Sequence, residues 1–507
     1  MRATAYAPST FQQAIYDWIQ TGEGSAVIIA MAGSGKTSTL IDGLRYRPAD
    51  QAARLFAFNT EIANELKART VGMRGVAAST LHAAGYGALC QKLGMQKIPV
   101  LKGQSKSRAI CWDWLSRRDA YRYTPFLCEL VSLAKGAGVG ALLPDEVPEW
   151  RALIRHHDLT LDDVRPSEYA DVETYAIGLA RELLLRTITA AEDDFQIDFD
   201  DMLYLPLFWD LILPRSLWVC LDEAQDTNPV RRALVQRSLA LGGRLVSVGD
   251  SHQSIFGFTG ASIDAIDRII ETFHATTLPL SICYRCARAI VEAAQAIVPD
   301  ILPADDADPG EVLWLPVQQG LAELGPQDVI LCRNTAPLVR AAYWLIAHQI
   351  GCRILGKEIG TGLVKLVEQM HAETLDQLER ELYDYRDQQT AKLRARGESG
   401  HAATLDDRVS CIQTVINNLP REAHTVPALK AELIRLFEDQ NTGVLTLSTI
   451  HKAKGKEWPT VAILQPELMP SPWATQAWER QQETNLRYVA ITRARERLIW
   501  LNGKLEE

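Results

Sequence analysis

The sequence predicts an α/β fold with two parallel-sheet domains, each interrupted by a helical insertion. Apolar runs alternate with helical segments in two separate regions, as expected of doubly wound sheets. The predicted strands of the first region are 26–30, 54–58, 217–221 and 244–248. Those of the second region are 328–332, 443–447, 460–464 and 498–501. Two helical stretches fit neither sheet, and they lie at 91–194 and 371–443.

These patterns divide the 507 residues into four predicted parts. The first sheet domain comprises 1–90 and 195–278, and its insertion is 91–194. The second sheet domain comprises 279–370 and 444–507, and its insertion is 371–443. Within the second insertion we predict a helical hairpin, with one helix from Leu375 to Arg396, a polar tip at 397–400 and a second helix from Leu405 to Leu419.

Composition is that of a soluble globular protein, with 23% charged and 47% hydrophobic residues. The net charge of −10 argues against a passive nucleic-acid coat but allows a local basic channel. Nine scattered cysteines favour a reduced compartment, and the lone pair Cys283 and Cys286 is expected to pack rather than to bind zinc. No signal peptide or membrane-length apolar run is evident, so we expect a cytoplasmic protein with no membrane partner.

A glycine-rich loop follows the first predicted strand and precedes a helical pattern opening at Ser38. The backbone N–H groups of such a loop cradle phosphates, aided by the helix dipole. Lys36 would reach the β and γ phosphates, and the Thr37 hydroxyl would ligate Mg²⁺. Ala30 replaces the first glycine of the general pattern. The sequence therefore predicts a nucleoside triphosphate site formed by Ala32, Gly33, Ser34, Gly35, Lys36, Thr37 and Ser38.

Two further predicted strands end in residues suited to hydrolysis. Asp222 directly follows the strand at 217–221, where a carboxylate is well placed to hold Mg²⁺. The adjacent Glu223 would polarise the attacking water. Gln253 follows the strand at 244–248 and is a candidate sensor of the γ phosphate.

Taken together, these motifs resemble the UvrD/Rep/PcrA group of superfamily-one DNA helicases, in a compact form with a reduced second insertion. The resemblance runs through nearly the whole chain, and Thr259 stands where an arginine is common. It implies two RecA-like domains. Because few residues follow the last matching segment, 488–495, we expect no nuclease domain or interaction tail after it. The matching segments are 8–15, 56–60, 80–82, 198–201, 221–226, 249–261, 280–285, 448–458 and 488–495.

The resemblance also implies how ATP is held. Gln12 would read adenine, Tyr284 would stack on it, and Glu457 would hold the ribose. Arg285 and Arg493 would reach the γ phosphate from the second domain, which has no glycine-rich loop. We therefore expect ATP between two domains, where an arginine delivered on closure is worth ~10³–10⁵ in rate.

Single strands are usually held by basic grooves and by stacking on aromatic rings. The aromatic candidates are Phe58, for which stacking and core packing both stay open, and Phe258, for which stacking is favoured. The polar candidates are Asn59, Thr80, His82, Thr449 and His451. A basic aromatic stretch at 102–123 either touches duplex or forms an amphipathic helix with its aromatics inward.

The leading hypothesis is an ATP- and Mg²⁺-dependent helicase that translocates 3′ to 5′ on single-stranded DNA, as the resemblance implies. We expect it to bind single strands and single-strand–duplex junctions, as a monomer or with weak self-association, and RNA stays open. The first alternative is a translocase that strips proteins from DNA without efficient unwinding. The second is a nucleotide-switched regulatory ATPase, whose turnover would be indifferent to single-stranded DNA.

Overall fold

The computed structural model describes residues 7–157, 159, 172–255, 257, 264–395, 399–437, 444–474, 476–503 and 505. The chain forms two compact units, Met1–Ala30 with Gly35–Leu280 and Met31–Ser34 with Ser281–Glu507. Among the described helices, none combines the length and apolar character that a membrane span requires.

The first unit contains a six-stranded sheet in the order β3-β2-β4-β5-β1-β6. Every neighbouring pair in it is parallel. All four strands predicted for this region are present, and two unpredicted ones, β3 and β6, lie at its edges. The strands are β1 Ala26–Ala30, β2 Ala53–Ala57, β3 Val76–Thr80, β4 Ser216–Leu221, β5 Leu239–Gly249 and β6 Thr276–Leu280.

Helices cover both faces of this sheet, because its strands are apolar on both sides. One face packs against α1–α3, with Ile15, Leu40 and Leu66 in its core. The other face packs against α4, α9, α10 and α11, with Leu203 and Leu234 in its core. The helices of the unit are α1 Thr10–Thr21, α2 Lys36–Gly43, α3 Thr60–Arg69, α4 Leu81–Lys92, α5 Ser105–Trp114, α6 Arg117–Ala137, α7 Val147–His156, α8 Val172–Asp193, α9 Phe199–Phe208, α10 Pro229–Arg237 and α11 Ala265–Phe273.

Helices α5–α8 form a helical layer with its own apolar core, which includes residues of α4 and α9. Buried charges also tie this layer to α9. Lys106 of α5 and Lys135 of α6 reach the two carboxylate oxygens of Asp201, at 2.5 and 2.7 Å. The aromatic side chains of the basic stretch point in different directions, because Tyr123 is buried whereas Trp112 and Tyr121 are exposed.

The second unit repeats the architecture with a six-stranded sheet in the order β11-β12-β10-β13-β14-β9, again parallel throughout. The four predicted strands are present, and β9 and β11 form the two edges. A separate two-stranded sheet joins β7 and β8. The strands are β7 Ile282–Cys283, β8 Leu302–Pro303, β9 Glu311–Pro316, β10 Val329–Cys332, β11 Cys352–Ile354, β12 Leu445–Thr449, β13 Trp458–Leu464 and β14 Ala494–Asn502. The α/β fold class with parallel sheets is therefore confirmed.

The predicted helical hairpin is present, but its second helix begins earlier than predicted. Helix α17 starts at Ser399 rather than at Leu405. Ala402 is fully buried, so the apolar stripe formed by Val409 and Ile412 continues one turn upstream and supports the longer helix. The predicted tip residues 397 and 398 lie outside the described part of the chain.

A single apolar core joins the second insertion to its sheet, since Leu345, Leu378, Ile412 and Leu447 belong to one buried cluster. Asp407 of α17 also caps α14, accepting bonds from two backbone N–H groups at 2.9 Å. The helices are α12 Arg288–Gln295, α13 Val317–Ala322, α14 Ala336–Ala347, α15 Lys357–Gln369, α16 Leu375–Ala395, α17 Ser399–Asn417, α18 Val426–Leu436, α19 Ile450–Ala453 and α20 Ala477–Ile491.

Candidate nucleotide and nucleic-acid sites

The glycine-rich loop has the backbone geometry that its glycines predict. Gly33 and Gly35 have φ values of 70° and 79°, in the left-handed region that favours glycine. Gly35 precedes α2, and its carbonyl accepts the N–H of Thr39 at 2.8 Å. Lys36 and Thr37 therefore lie in the first turn of a helix, where backbone N–H groups lack intrahelical acceptors and favour a bound anion.

Thr37 and Asp222 meet at the carboxyl edge of the first sheet. The Thr37 hydroxyl donates to Asp222 Oδ2 at 2.7 Å, and the Asp222 side chain is buried at the end of β4. Burial, reinforced by the neighbouring charge of Glu223, raises the pKa of Asp222 to about 6. A hydroxyl and a carboxylate are the oxygen donors that suit Mg²⁺, which completes its shell with water and phosphate oxygens. The residues present therefore fit the metal.

Glu223 occupies a strained backbone position beside the loop lysine. Its φ is 54°, which is uncommon for a residue with a side chain and recurs at functional sites. Lys36 Nζ lies 3.5 Å from Glu223 Oε2. The side-chain amide of Gln225 donates to the same carboxylate oxygen. Glu223 is thus held between an ammonium group and an amide at the edge of the sheet.

Gln225 is a site residue that the sequence reasoning missed. Its Nε2 donates to Glu223, and its Oε1 accepts the backbone N–H of Asp250 at 3.0 Å. The side chain is buried and joins the end of β4 to the end of β5. The available signal was a polar residue inside the acidic segment 222–226.

Gln253 lies at the same edge and is held by Asp250. Its Nε2 donates to Asp250 Oδ2 at 2.7 Å, and its backbone N–H donates to the Asp250 carbonyl at 2.9 Å. Burial raises the pKa of Asp250, and the charge of Lys36 opposes that shift. The structure therefore brings Lys36, Thr37, Asp222, Glu223 and Gln253 to one sheet edge.

The remaining nucleotide candidates of the first unit flank α2. Gln12 closes a capping box with Ser9 at the start of α1, and its Nε2 donates to Thr39 Oγ1 at 3.1 Å. The Ser38 hydroxyl accepts from Arg69 at 2.9 Å. Both side chains have structural partners, and adenine recognition by Gln12 stays a prediction.

The polar nucleic-acid candidates of the first unit begin helices. Asn59 caps α3 by accepting the N–H of Ile62 at 2.8 Å, and Thr80 caps α4 by accepting the N–H of Ala83 at 3.0 Å. These caps follow β2 and β3 directly, at the carboxyl edge of the sheet. Cap formation explains these residue types without a ligand, so their contact with a strand stays a prediction.

Phe58 and His82 line an open pocket at that edge, together with Asp222, Glu223 and Arg231. The Arg231 guanidinium lies 4.8 Å from the centre of the Phe58 ring. Burial, with a smaller effect of Arg231, lowers the pKa of His82 to about 4. His82 is therefore neutral at pH 7 and suits base contact better than phosphate neutralisation.

Two further predicted positions, Phe258 and Thr259, lie outside the described residues.

Arg285 and Glu457, predicted for phosphate and ribose, meet each other in the second unit. Arg285 Nε lies 2.5 Å from Glu457 Oε2, and Nη1 donates to the Thr492 carbonyl at 3.4 Å. Tyr284 is 39% exposed, so its ring is accessible for stacking. The ion pair with Glu457 orients the Arg285 guanidinium.

Arg493 is fully buried in the second unit. Its guanidinium donates to the carbonyls of Val489 and Lys456, each at 3.1 Å, and to the Thr492 hydroxyl at 3.3 Å. Only 1% of the residue is exposed. These three hydrogen bonds therefore fix the orientation of the Arg493 guanidinium.

Cys283 and Cys286, on either side of Arg285, are both buried. The Cys286 N–H donates to Cys283 Sγ at 3.5 Å, and a further hydrogen bond from the Cys286 side chain lowers the pKa of the Cys283 thiol to about 6. Among the described residues, there is no group of three or more His, Cys, Asp or Glu side chains that could hold a metal ion.

Thr449 and His451 lie where β12 ends and α19 begins. Burial, with smaller effects of Arg333 and Lys454, lowers the pKa of His451 to about 3. Arg333 directly follows β10 and pairs with Glu483 at 2.9 Å. The sequence reasoning missed this arginine, although a basic residue at a strand end was a usable signal.

Comparison with known proteins supplies the family. Residues 11–274 match the UvrD/REP helicase N-terminal domain, and residues 333–502 match the UvrD-like helicase C-terminal domain.

Among curated relatives, the chain is 24% identical over 304 residues to the ATP-dependent DNA helicase PcrA of Staphylococcus epidermidis. It is 25% identical over 308 residues to the ATP-dependent DNA helicase UvrD1 of Mycobacterium tuberculosis. These matches cover 55% and 54% of this chain but only 38% of each relative. The two domain matches agree with two RecA-like parallel sheets, and on that evidence the chain belongs to the UvrD/REP helicase family.

Proposed function

We propose that this protein is an ATP-dependent DNA helicase that translocates 3′ to 5′ on single-stranded DNA. The observation that carries the proposal is the cluster of Lys36, Thr37, Asp222 and Glu223 at one sheet edge. Its contacts are a 2.7 Å hydrogen bond from Thr37 to Asp222 and a 3.5 Å ion pair from Lys36 to Glu223. The names of the curated relatives support DNA as the polymer.

For ATP hydrolysis, the loop N–H groups and Lys36 hold the phosphates. Glu223 orients a water molecule whose oxygen attacks the γ phosphorus, and its carboxylate takes the proton as the bond to the bridging oxygen breaks. Thr37 and Asp222 would hold Mg²⁺, which would neutralise charge on the phosphate oxygens. Gln253, fixed by Asp250, responds to the γ phosphate. By the family resemblance, Arg285 and Arg493 stabilise the transition-state charge.

For the single strand, we propose contacts from both units. The ring of Phe58 and the neutral imidazoles of His82 and His451 suit bases, which stack on aromatic rings at ~1–3 kcal/mol each. The hydroxyls and amide of Thr80, Thr449 and Asn59 suit phosphate or sugar oxygens. In this proposal the protein acts at single-strand–duplex junctions, as a monomer or with weak self-association.

The second candidate is a translocase that displaces proteins without efficient unwinding. The observation that favours it is the small second insertion, built around the hairpin of α16 and α17, whose core is continuous with that of the sheet. A forked duplex free of bound protein separates the two functions, because only the helicase unwinds it.

The first experiment is steady-state ATP hydrolysis with and without a single-stranded DNA oligomer, beside an RNA oligomer of the same sequence. Strong stimulation by DNA alone supports a DNA motor. Duplexes with a 3′ or a 5′ tail then test polarity, since a 3′-to-5′ motor unwinds only the 3′-tailed one. Equal turnover with and without either polymer would instead favour a nucleotide-switched regulator.

A further inference from the structure

We propose that Arg231 is a positioning residue that holds the Phe58 ring in the single-strand site and links it to the loop bearing the hydrolytic acids. This inference rests on the proposed function, because it takes Phe58 to be a nucleic-acid contact. Nothing in the sequence motifs singles out Arg231, which lies in the first turn of α10.

Arg231 is fixed at three points. Its backbone N–H donates to the Asn228 side chain at 2.9 Å, which sets the first turn of α10. Its Nη1 donates to the Asp226 carbonyl at 3.0 Å. The guanidinium carbon lies 4.8 Å from the centre of the Phe58 ring, within the range of a cation–π contact. The arginine therefore bridges the residue after β2 and the turn after β4.

The charge of Arg231 persists in this setting. Burial lowers its pKa, and the charges of Asp226 and Asp200 oppose the shift, so a guanidinium stays protonated at any working pH. Arg231 also contributes to the low pKa of His82. Phe58, His82 and Arg231 line the same pocket, and Arg231 interacts electrostatically with each of the other two.

The link to hydrolysis runs through one short turn. Arg231 holds the carbonyl of Asp226, and the N–H of Asp226 donates to the carbonyl of Glu223 at 3.0 Å. Glu223 has the strained backbone described above, with φ of 54°. A base that stacks on Phe58 would move or fix the ring, and Arg231 would transmit that constraint to the turn that orients Glu223.

The chain offers a matched control in the next residue. Arg232 lies on the same helix and also donates to a carbonyl of the same loop, that of Thr227, at 3.1 Å. Its charge interacts with Asp264 and Arg268. Removing either guanidinium deletes one anchor of α10, but removing that of Arg231 also deletes its contact with the Phe58 ring.

The experiment titrates an oligothymidylate into the ATPase assay and measures turnover at saturation and the half-saturating oligomer concentration. For Arg231→Met we expect that concentration to rise by about fivefold to tenfold, a size between those of an exposed and of a fully desolvated cation–π contact. We expect a smaller rise, about twofold, for Arg231→Lys, which keeps the charge but loses the planar fork. Arg232→Met should match the wild type in basal turnover and in half-saturation.

A double-mutant cycle with Phe58→Leu decides between positioning and general destabilisation. If Arg231 acts through the ring, Arg231→Met adds little in the Phe58→Leu background. Equal effects of Arg231→Met in both backgrounds, or equal effects of Arg231→Met and Arg232→Met, overturn the inference while leaving the motor function intact. A wild-type ATPase without DNA stimulation overturns the proposed function itself.

Discussion

The two units have six-stranded parallel sheets of the same kind, but their candidate site residues differ in chemistry. In the first unit, the carboxyl ends of β1 and β4 lead to Lys36, Asp222 and Glu223, a set that can hold phosphate, metal and water. In the second unit the candidates are arginines: Arg285 follows β7 of the two-stranded sheet and Arg493 immediately precedes β14, and they are held by a carboxylate and by backbone carbonyls. The comparison teaches that the fold supplies positions, whereas the side chains at those positions decide the chemistry.

The two helical insertions also differ in the interactions that stabilise them. The first adds a buried ion cluster of Lys106, Lys135 and Asp201 to its apolar core. The second shares an apolar core with its sheet, through residues such as Leu378 and Ile412. Removing one partner of a buried ion pair leaves the other charge uncompensated and is strongly destabilising. We therefore expect the stability of the first insertion to be more sensitive to the loss of a single charge.

The largest loss of activity is expected from replacing Lys36, because this change removes the cation of the proposed phosphate site in the first unit. We expect Lys36→Ala to abolish ATP turnover while binding of a labelled single-stranded oligomer stays measurable. Lys67→Ala, on the exposed face of α3, serves as the control and should leave turnover unchanged. Retained turnover in Lys36→Ala would remove the phosphate role from this loop.

The arginines of the second unit are expected to act on the transition state alone. Arg285→Ala and Arg493→Ala should lower kcat by ~10³–10⁵, with a much smaller change in the Kd for ATP. Arg340→Ala, at an exposed position of α14, is the control. An effect confined to ATP affinity would contradict the contrast between a binding unit and a catalytic arginine unit.

Glu223→Gln tests the base of the first unit. The amide keeps the size and hydrogen-bonding capacity of the side chain but cannot take a proton, so kcat should fall by ~10²–10⁴. Binding of a fluorescent ATP analogue should persist. Normal turnover would exclude Glu223 as the base, and Glu271→Gln at an exposed site controls for charge removal.

Lys106→Met tests the contrast between the insertions. It leaves part of the Asp201 charge uncompensated in a buried site, a change that typically costs ~3–5 kcal/mol. Hydrogen exchange in α5 and α6 should rise sharply, whereas exposed Lys102→Met should have little effect. Equal protection in both variants would show that the ion cluster is dispensable.

The pH dependence of the same cluster gives the smallest expected effect. Asp198 caps α9 and lies 3.7 Å from Lys135 of this cluster. Burial raises the pKa of Asp198 to about 6, above its ordinary value of 3.8. The folded state then binds a proton more tightly than the unfolded state, so this group's contribution to stability falls as pH rises from about 4 to 6, by at most about 3 kcal/mol. Asp198→Asn keeps the helix cap and should flatten this dependence in hydrogen exchange. An unchanged slope would contradict the assignment.

Much of the fold follows from local patterns. The runs at 26–30, 217–221 and 460–464 are continuous and apolar, as strands buried on both faces must be. The edge strands β3 and β6 were missed, because Val76–Thr80 is rich in small residues and Thr276–Leu280 contains a proline. Edge strands need less apolar surface, so their composition carries a weaker signal.

The candidate site likewise has residues that local sequence patterns predict and residues that they do not. The loop with Lys36 and the acids at 222 and 223 could be predicted from the sequence, because each is defined by short spacing after a single strand, β1 or β4. The contacts by which Gln225 joins two strand ends and Arg231 lies over Phe58 are visible only in the folded structure. These contacts join residues distant in sequence, and packing of separate strands and helices, rather than any local pattern, brings them within hydrogen-bonding or cation–π distance.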